Sequence, residues 1–416
     1  MPPPTGLPWR SVTTSGTGKA ASTGASDHRS ALLAGYLGWT LDAFDFFLVV
    51  MCLTAIGREF HKTDAEMALA TLATLAFRPL GAFLFGLLAD RYGRRLPLMI
   101  DLVFYSIVEV ASGLAPSYTT FMVLRALFGV GMGGEWGVGA SLAMEKVPPR
   151  LRGVLSGFLQ QGYATGYLLA AMCYLVLFER LGWRPLFFIG GLPALLALFV
   201  RVRVKESEVW QRTRQETWGH LGRAIVSHWK LFLYIALLMM AMNFAAHGTQ
   251  DMYPTFLERQ WHFGVSQRST VTACSMVGAI LGGTLCGWMS DRFGRRRSMV
   301  TALLLATLVV PLWAFAPSLS LLVVGAFLMQ FLVQGAWGVI PAHLTELSPD
   351  SVRGFLPGFG YQCGVLLASS VSYIEAVFAH RTSYAIAMAA TAVTVFLLAA
   401  ATTALGPERR AARFGE

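Results

Sequence analysis

Apolar runs recur along this chain from residue 31 to residue 405, separated by short charged or Pro/Gly-rich breaks. Each run is roughly 18 to 25 residues long, enough helix to cross about 30 Å of hydrocarbon at about 1.5 Å rise per residue. The breaks predict helices over 31–56, 66–89, 96–115, 118–144, 152–178 and 184–201, then over 230–257, 266–289, 298–316, 318–344, 354–379 and 382–405. One connection in this series is long and polar: residues 202–229 carry charges and tryptophans in an amphipathic pattern. It is expected to be a cytoplasmic linker between two six-helix bundles, residues 31–201 and 230–405. Residues 1–30 are rich in Ser, Thr, Gly and Pro and lack the apolar core of a signal peptide, so they are expected to form a disordered cytoplasmic tail, with a second tail at 406–416. The fold class implied is an all-α membrane protein of twelve transmembrane helices in two six-helix repeats.

Composition agrees with the pattern. Hydrophobic residues make up 55% of the chain and charged residues 13%, about half the charge of a soluble protein. With the N-terminus placed in the cytoplasm, 24 of the 33 Lys and Arg residues fall on the inner side of the predicted spans, 7 in outer loops and two within spans, as the positive-inside rule requires. Arg91, Arg94, Arg95, Lys146, Arg150, Arg152, Arg292, Arg295, Arg296 and Arg297 lie there, so both termini are expected to be cytoplasmic. The net charge of +10 is then an inner rim facing anionic lipid, and nucleic acid is not an expected partner. Cys52, Cys173, Cys274, Cys286 and Cys363 all fall in or beside apolar runs, in neither a zinc nor a redox spacing.

The two halves are duplicates. Gly86-Leu-Leu-Ala-Asp90-Arg-Tyr-Gly93-Arg94-Arg95 recurs as Gly287-Trp-Met-Ser-Asp291-Arg-Phe-Gly294-Arg295-Arg296, an offset of 201. The same offset carries Glu145 to Glu346, Pro148 to Pro349, Arg152-Gly153 to Arg353-Gly354 and Gln161 to Gln362. This repeated G-x-x-x-D-R-x-G-R-R loop resembles the signature loop of the major facilitator superfamily, whose fold is built from parallel six-helix repeats. The resemblance covers residues 31 to 405. Asp90, Arg94, Glu145 and Arg152, with Asp291, Arg295, Glu346 and Arg353 in the second half, are expected to form the inner gate. A basic loop that merely fixes topology is the plainer account, and both roles are compatible.

Ionisable side chains in mid-membrane are functional candidates, because each costs about 2.5–3.5 kcal/mol on insertion scales. The first half holds several. Asp42 and Asp45 share a face of the first helix. Arg78 stands about 18 Å along the second helix from Asp90, near mid-membrane. Glu109 lies on the third helix, and Arg125 and Glu135 lie on the fourth. These charges form either a network holding the half together or a working site. In the second case Arg78 supplies a permanent cation for a carboxylate, and Asp42, Asp45 and Glu135 serve as proton acceptors. Gly129-Val-Gly131-Met-Gly133-Gly134 matches a dinucleotide fingerprint, but no strand precedes it, and close helix packing is the expected role.

The seventh helix carries Asn243, His247 and Asp251 at intervals of four, with Gln250 beside them and Pro254 positioned to kink the helix. The offset of 201 maps Asp42 onto Asn243. The string N-x-x-A-H-x-T-Q-D-x-x-x-T is similar to the helix-seven motif of the fungal lactate–proton permeases and their bacterial relatives in the sialate–proton symporter family. Ala246 departs from it, standing where the motif has Ser or Thr. The string Trp39-Thr-Leu-Asp42-Ala-Phe-Asp45-Phe-Phe, the pair Arg78-Pro79 and the Gly133-Gly-Glu135-Trp136 segment also resemble that family and metabolite–proton symporters. The resemblance implies carboxylate recognition and proton coupling by Arg78, His247 and Asp251. It makes Asn243, Gln250, Gln334 and Gln362 polar cavity groups, with helix–helix hydrogen bonds an equal alternative for Gln334 and Gln362.

These readings converge on a proton-coupled symporter of small monocarboxylates such as lactate or pyruvate, working by alternating access as a monomer in the cell inner membrane. A carrier of sialic acid or of a di- or aromatic carboxylate is the alternative, with Phe46, Trp136, Tyr163, Trp337 and Tyr361 available for a bulkier ligand. A carboxylate sensor that does not transport is a third reading, which a fused output domain would favour. The partners expected are a small organic anion, protons and the lipid bilayer. No cofactor, metal or enzymatic activity is expected, since the chain carries no nucleotide loop, metal-ligand cluster or nucleophile elbow.

Overall fold

The computed structural model describes residues 17–92, 95–145, 151–192, 195, 227–349 and 356–409, with side chains from residue 32 onward except at 34, 86, 87, 89–91, 135 and 137–145. In the first half the helices are α1 (Thr17–Phe60), α2 (Asp64–Tyr92), α3 (Arg95–Gly113), α4 (Tyr118–Glu145), α5 (Arg152–Leu181) and α6 (Arg184–Ile189). In the second half they are α7 (Trp229–Gln250), α8 (Tyr253–Arg259), α9 (Val265–Phe293), α10 (Arg295–Ala314), α11 (Leu319–Leu347), α12 (Leu356–Ala368), α13 (Val371–Arg381) and α14 (Tyr384–Leu405). Ten helical stretches among the described residues are long and apolar enough to cross a membrane. α4 and the segment opened by α6 occupy the fourth and sixth places of the repeat.

The duplication is visible in the element limits. The offset of 201 carries both ends of α2 onto those of α9, and the start of α4 onto that of α11. It also carries the closest backbone approaches. A Cβ on Gly81 of α2 would strike the carbonyl of Val130 in α4, and a Cβ on Gly282 of α9 would strike that of Phe331 in α11. Gly129 and Gly133 press in the same way on the carbonyls of Thr74 and Arg78. The glycine-rich string on α4 is therefore a helix-packing face, and it fixes the backbone at Arg78.

Three element boundaries differ from the sequence pattern. α1 begins at Thr17 rather than at residue 31, so part of the segment expected as a disordered tail is helical, although its membrane-spanning portion begins at Gly35. Extending a helix already nucleated costs far less than starting one. The seventh span is interrupted at Asp251–Met252, between α7 and α8. Pro254 has no N–H and cannot tolerate the Gln250 carbonyl in a continuous helix; that carbonyl accepts a hydrogen bond from the Tyr167 hydroxyl at 3.3 Å instead. The eleventh span is interrupted at Ser369–Ser370, between α12 and α13, with no proline to announce it. The linker expected at 202–229 lies outside the described residues up to residue 226. Glu408, in the second expected tail, accepts from the Arg295 backbone N–H at 2.6 Å and so caps the start of α10.

The halves meet chiefly where α5 crosses α9. A Cβ on Gly157 would come 2.7 Å from the Gly283 carbonyl, and one on Gly287 would come 2.6 Å from that of Gly153. Outward-facing positions are apolar: Ile107, Val176, Leu281 and Leu308 are among many large exposed side chains. Water would not tolerate such a continuous apolar surface, and lipid does. The polar and charged residues are turned inward instead, many of them fully buried.

Candidate binding and coupling site

The buried charges of the first half separate into two groups. Arg125 on α4 donates to Glu109 on α3 at 2.7 Å, and both are wholly buried. Ser112 also receives this guanidinium, and the rings of Phe121, Phe128 and Phe187 stand 5.4, 4.8 and 5.5 Å from it. Asp45 joins this side: a Cβ on Gly190, just after α6, would lie 2.7 Å from Asp45 Oδ1 and would also strike Glu109. Arg125 and Glu109 thus form an ion pair between α4 and α3, with Asp45 of α1 lying on its side of the bundle near Gly190.

Arg78 and Asp42 are placed differently. Arg78 is completely buried, and none of its three guanidinium nitrogens has a partner of good hydrogen-bond geometry among the described residues, the nearest polar group being the Tyr361 hydroxyl. Its guanidinium lies 5.7 Å from the Trp39 ring and 5.5 Å from the Tyr361 ring, between the first half and α12. Asp42, its electrostatic neighbour, is equally buried, with neither oxygen hydrogen-bonded. Trp39 Nε1 and the Tyr163 hydroxyl nearby are also without partners inside the protein. Buried polar groups are almost always paired. A cation, a carboxylate, an indole N–H and a phenol are thus grouped here without such partners among the described residues. Aromatic rings wall it: Trp136 stacks on Tyr361 at 4.4 Å, Trp39 on Tyr163 at 5.5 Å, and Trp337 meets Tyr361 edge-on at 5.8 Å.

Across from it, α7 brings His247 and Asp251 together. The Nδ1 of His247 lies 3.0 and 3.2 Å from the two Asp251 oxygens, the spacing of four residues having placed them one turn apart. Ser372 of α13 donates to Asp251 Oδ2 at 2.8 Å, and Phe46 of α1 meets the His247 ring edge-on at 5.6 Å. The other expected cavity groups are less free. Asn243 donates to its own helix at Met239 O, 2.7 Å away. Gln250 donates to Gln330 Oε1 at 2.7 Å, and Gln330 in turn donates to Thr249 Oγ1 at 3.1 Å, an amide ladder between α7 and α11. Gln362 reaches across the halves to Gly133 O at 3.4 Å, and the side-chain oxygens of Gln334 and Gln362 make no hydrogen bond within the protein. α4 runs through residue 135, but the Glu135 side chain lies outside the described residues.

Contacts between the halves are present at both ends of the molecule. At the end bearing the repeated loops, a cluster within the second half, Arg295 with two 3.0 Å bonds to Glu346 and one of 2.8 Å to Asp291, backs the contact. Asp291 also accepts from the Gly153 N–H at 3.2 Å, so a second-half acid caps the start of α5. One turn on, Ser156 bridges to Gly338 O at 2.9 Å and receives the Ala342 N–H at 3.0 Å. Arg152 is buried beside this contact. Arg94 and Arg353, and the side chains of Asp90 and Glu145, lie outside the described residues. At the opposite end Glu258 of α8 binds both Arg58 and Arg268, and Arg268 donates to the Tyr174 hydroxyl at 2.5 Å. Asp64 there accepts from Arg259 at 2.7 and 2.9 Å and from Tyr384 at 2.8 Å. Contacts between the halves are thus present at both ends among the described residues.

Sequence reasoning missed the residues of this second closure, which sit at span ends and find partners only across the halves. It also missed Glu375, a fully buried acid on α13 facing the His247–Asp251 turn. The mid-membrane rule applied to the first half would have singled it out.

Comparison with known proteins agrees with this architecture. The family model of the Major Facilitator Superfamily matches residues 35–256 and 251–415. The chain is 30% identical over 349 residues to the "Probable 4-methylmuconolactone transporter" of Cupriavidus pinatubonensis, covering 82% of this chain and 81% of that protein. It is 28% identical over 341 residues to the sialic acid transporter NanX of Escherichia coli, covering 81% and 84%. It is also 28% identical over 356 residues to the cis,cis-muconate transport protein of Acinetobacter baylyi, covering 83% and 86%. Among solved structures, a partially occluded inward-open form of the xylose transporter XylE from E. coli aligns with a TM-score of 0.76 at 19% identity, covering 92% of this chain and 98% of that one. That likeness concerns the fold. With its duplicated six-helix halves and buried polar centre, this multi-pass membrane protein belongs to the major facilitator superfamily and is a transporter, not an enzyme.

Proposed function

We propose that the chain is a proton-coupled symporter of small monocarboxylates, exchanging its central site between the two membrane faces. The observation that carries this reading is Arg78, a wholly buried guanidinium between two aromatic rings with no carboxylate hydrogen-bonded to it among the described residues. A guanidinium stays charged in any environment a protein offers and binds a carboxylate through two parallel N–H donors. His247 and Asp251, bonded to each other on α7, are the proton-coupling pair of this reading. Protonation on that side makes the arrival of an anion at Arg78 favourable and leaves the loaded centre close to neutral. The halves then rock apart at one end, with the Gly153–Asp291 and Ser156–Gly338 contacts at one face and the Glu258 and Asp64 bridges at the other as the alternating closures. Binding groups from both halves lie within one chain, in keeping with a functional monomer. The proposed setting is the inner membrane with both termini in the cytoplasm.

The aromatic walls favour a second reading of the substrate: a planar conjugated or aromatic acid, stacked between Trp39, Trp136 and Tyr361. Transport of muconolactone, muconate and sialic acid by relatives supports organic acids as the wider class. Because two tryptophans border the site, intrinsic fluorescence of the purified protein should report binding. L-lactate is expected to quench it saturably, with competition by pyruvate. A response to cis,cis-muconate or benzoate without one to lactate would select the planar-acid reading. A response to sialic acid alone would replace both.

A further inference from the structure

We propose that Glu375, working with Asp251 across the contact between α13 and α7, is the residue that holds the transported proton; this rests on the proton-symport reading. Glu375 follows Ser372 by three residues on α13, so the two share a face. Ser372 donates to Asp251 Oδ2 at 2.8 Å. A Cβ on Gly248, the residue after His247, would lie 3.3 Å from Glu375 Oε1. The glycine at 248 therefore makes room for the Glu375 carboxyl against the turn of α7 that carries His247 and Asp251.

Neither oxygen of Glu375 makes a hydrogen bond within the protein, and the side chain is wholly buried. Among the described residues, the groups around it offer no fixed cation. On α7 they are His247 and Asp251; on α5, Tyr163 and Tyr167 stand toward Asp251; on α8 there is Tyr253. α14 carries no charged residue along its length, and Tyr384 at its start is bound to Asp64. The charged side chains described on α2, which also packs on α13, are Asp64 and Glu66 at the far end and Arg78 at the aromatic site. Asp251 is the charged neighbour of Glu375 among the described residues.

Two adjacent buried carboxylates with no fixed cation described beside them repel each other strongly when both are charged, so one proton is held between them. The hydrogen bonds decide its place. Asp251 receives donors from His247 and Ser372 and lies at the first turn of α13, where helix amides favour negative charge. Glu375 receives none, so the proton resides on its carboxyl. His247 Nδ1, bonded to Asp251, links that proton to the substrate side without being its carrier. Release requires only that the face open to water, where a carboxylate is solvated.

Three proteins test this: wild type, Glu375→Gln and Glu375→Asp, each reconstituted in proteoliposomes. Infrared difference spectra over a pH series should show the C=O stretch of a protonated carboxyl in wild type and Glu375→Asp, and its loss in Glu375→Gln. Using L-lactate or benzoate, whichever wild type exchanges, Glu375→Gln should lose gradient-driven accumulation by at least about 10-fold while keeping counterflow within about 2-fold. Glu375→Asp should regain part of the accumulation. Unchanged accumulation in Glu375→Gln, or an unchanged infrared band, overturns the assignment. So does loss of accumulation and counterflow together, which is what a merely structural role produces. Wild type that exchanges but never responds to a proton gradient would instead defeat the symport reading itself.

Discussion

Arg78→Ala is expected to lower the initial rate of organic-acid uptake at least about 100-fold, with membrane insertion and yield retained. Removing one partner of a buried charged pair with a ligand costs about 2–5 kcal/mol, a factor of roughly 30 to several thousand in affinity. Nothing else in the buried centre replaces that charge: among the described side chains Arg125 is tied to Glu109, and Arg295 to Glu346 and Asp291. Arg78→Lys is expected to recover little, because an ammonium cannot present two parallel donors while lying between the rings of Trp39 and Tyr361. The folded state should tolerate the loss better than that of Arg125, since no described carboxylate is hydrogen-bonded to Arg78 and Asp42 meets it only through space. Uptake kinetics measured beside the thermal transition in detergent check both halves of this statement. Unchanged uptake in Arg78→Ala would remove it from the site.

Arg125→Ala should produce the opposite profile. Its guanidinium holds Glu109 and Ser112 in a fully buried setting ringed by Phe121, Phe128 and Phe187. Truncating one member leaves Glu109 buried and uncompensated, at a cost of about 3–5 kcal/mol. The thermal transition should fall sharply and the yield of folded protein with it. Replacing both Glu109 and Arg125 by apolar residues of similar volume should restore much of the stability, because an ion pair of this kind contributes little over good packing. If Arg125→Ala folded as wild type but failed to transport, Arg125 would belong to the working site instead.

These contrasting arginines show where sequence stops being informative. Both read as mid-membrane cations, and nothing in composition or spacing separates one bound to protein from one left open. The backbone was far more legible. Hydropathy placed the spans, and the offset of 201 reappears in the limits of α2 and α9. Pro254 announced the interruption after Asp251, whereas the one at Ser369–Ser370 has no local signal and arises from packing. Asp42 and Asp45 share a face only loosely, since positions three apart differ by about 60° around a helix. In a crowded bundle that angle sends one toward Arg78 and the other toward Glu109 and Gly190. The polar row on α7 was legible as a row, but His247 and Asp251 pair with each other, and Gln250 is engaged by Gln330. Such partners come from distant segments, and one sequence does not name them. The bridges from Glu258 and Asp64 were invisible for the same reason.

The most direct test of the whole account is uptake of labelled L-lactate into proteoliposomes of the purified protein, with and without an inward proton gradient and a second, voltage-only gradient. The account predicts accumulation above equilibrium when the proton gradient is present, competed by pyruvate and lost in Asp251→Asn. Accumulation that ignores the proton gradient, or that persists in Asp251→Asn, would contradict it.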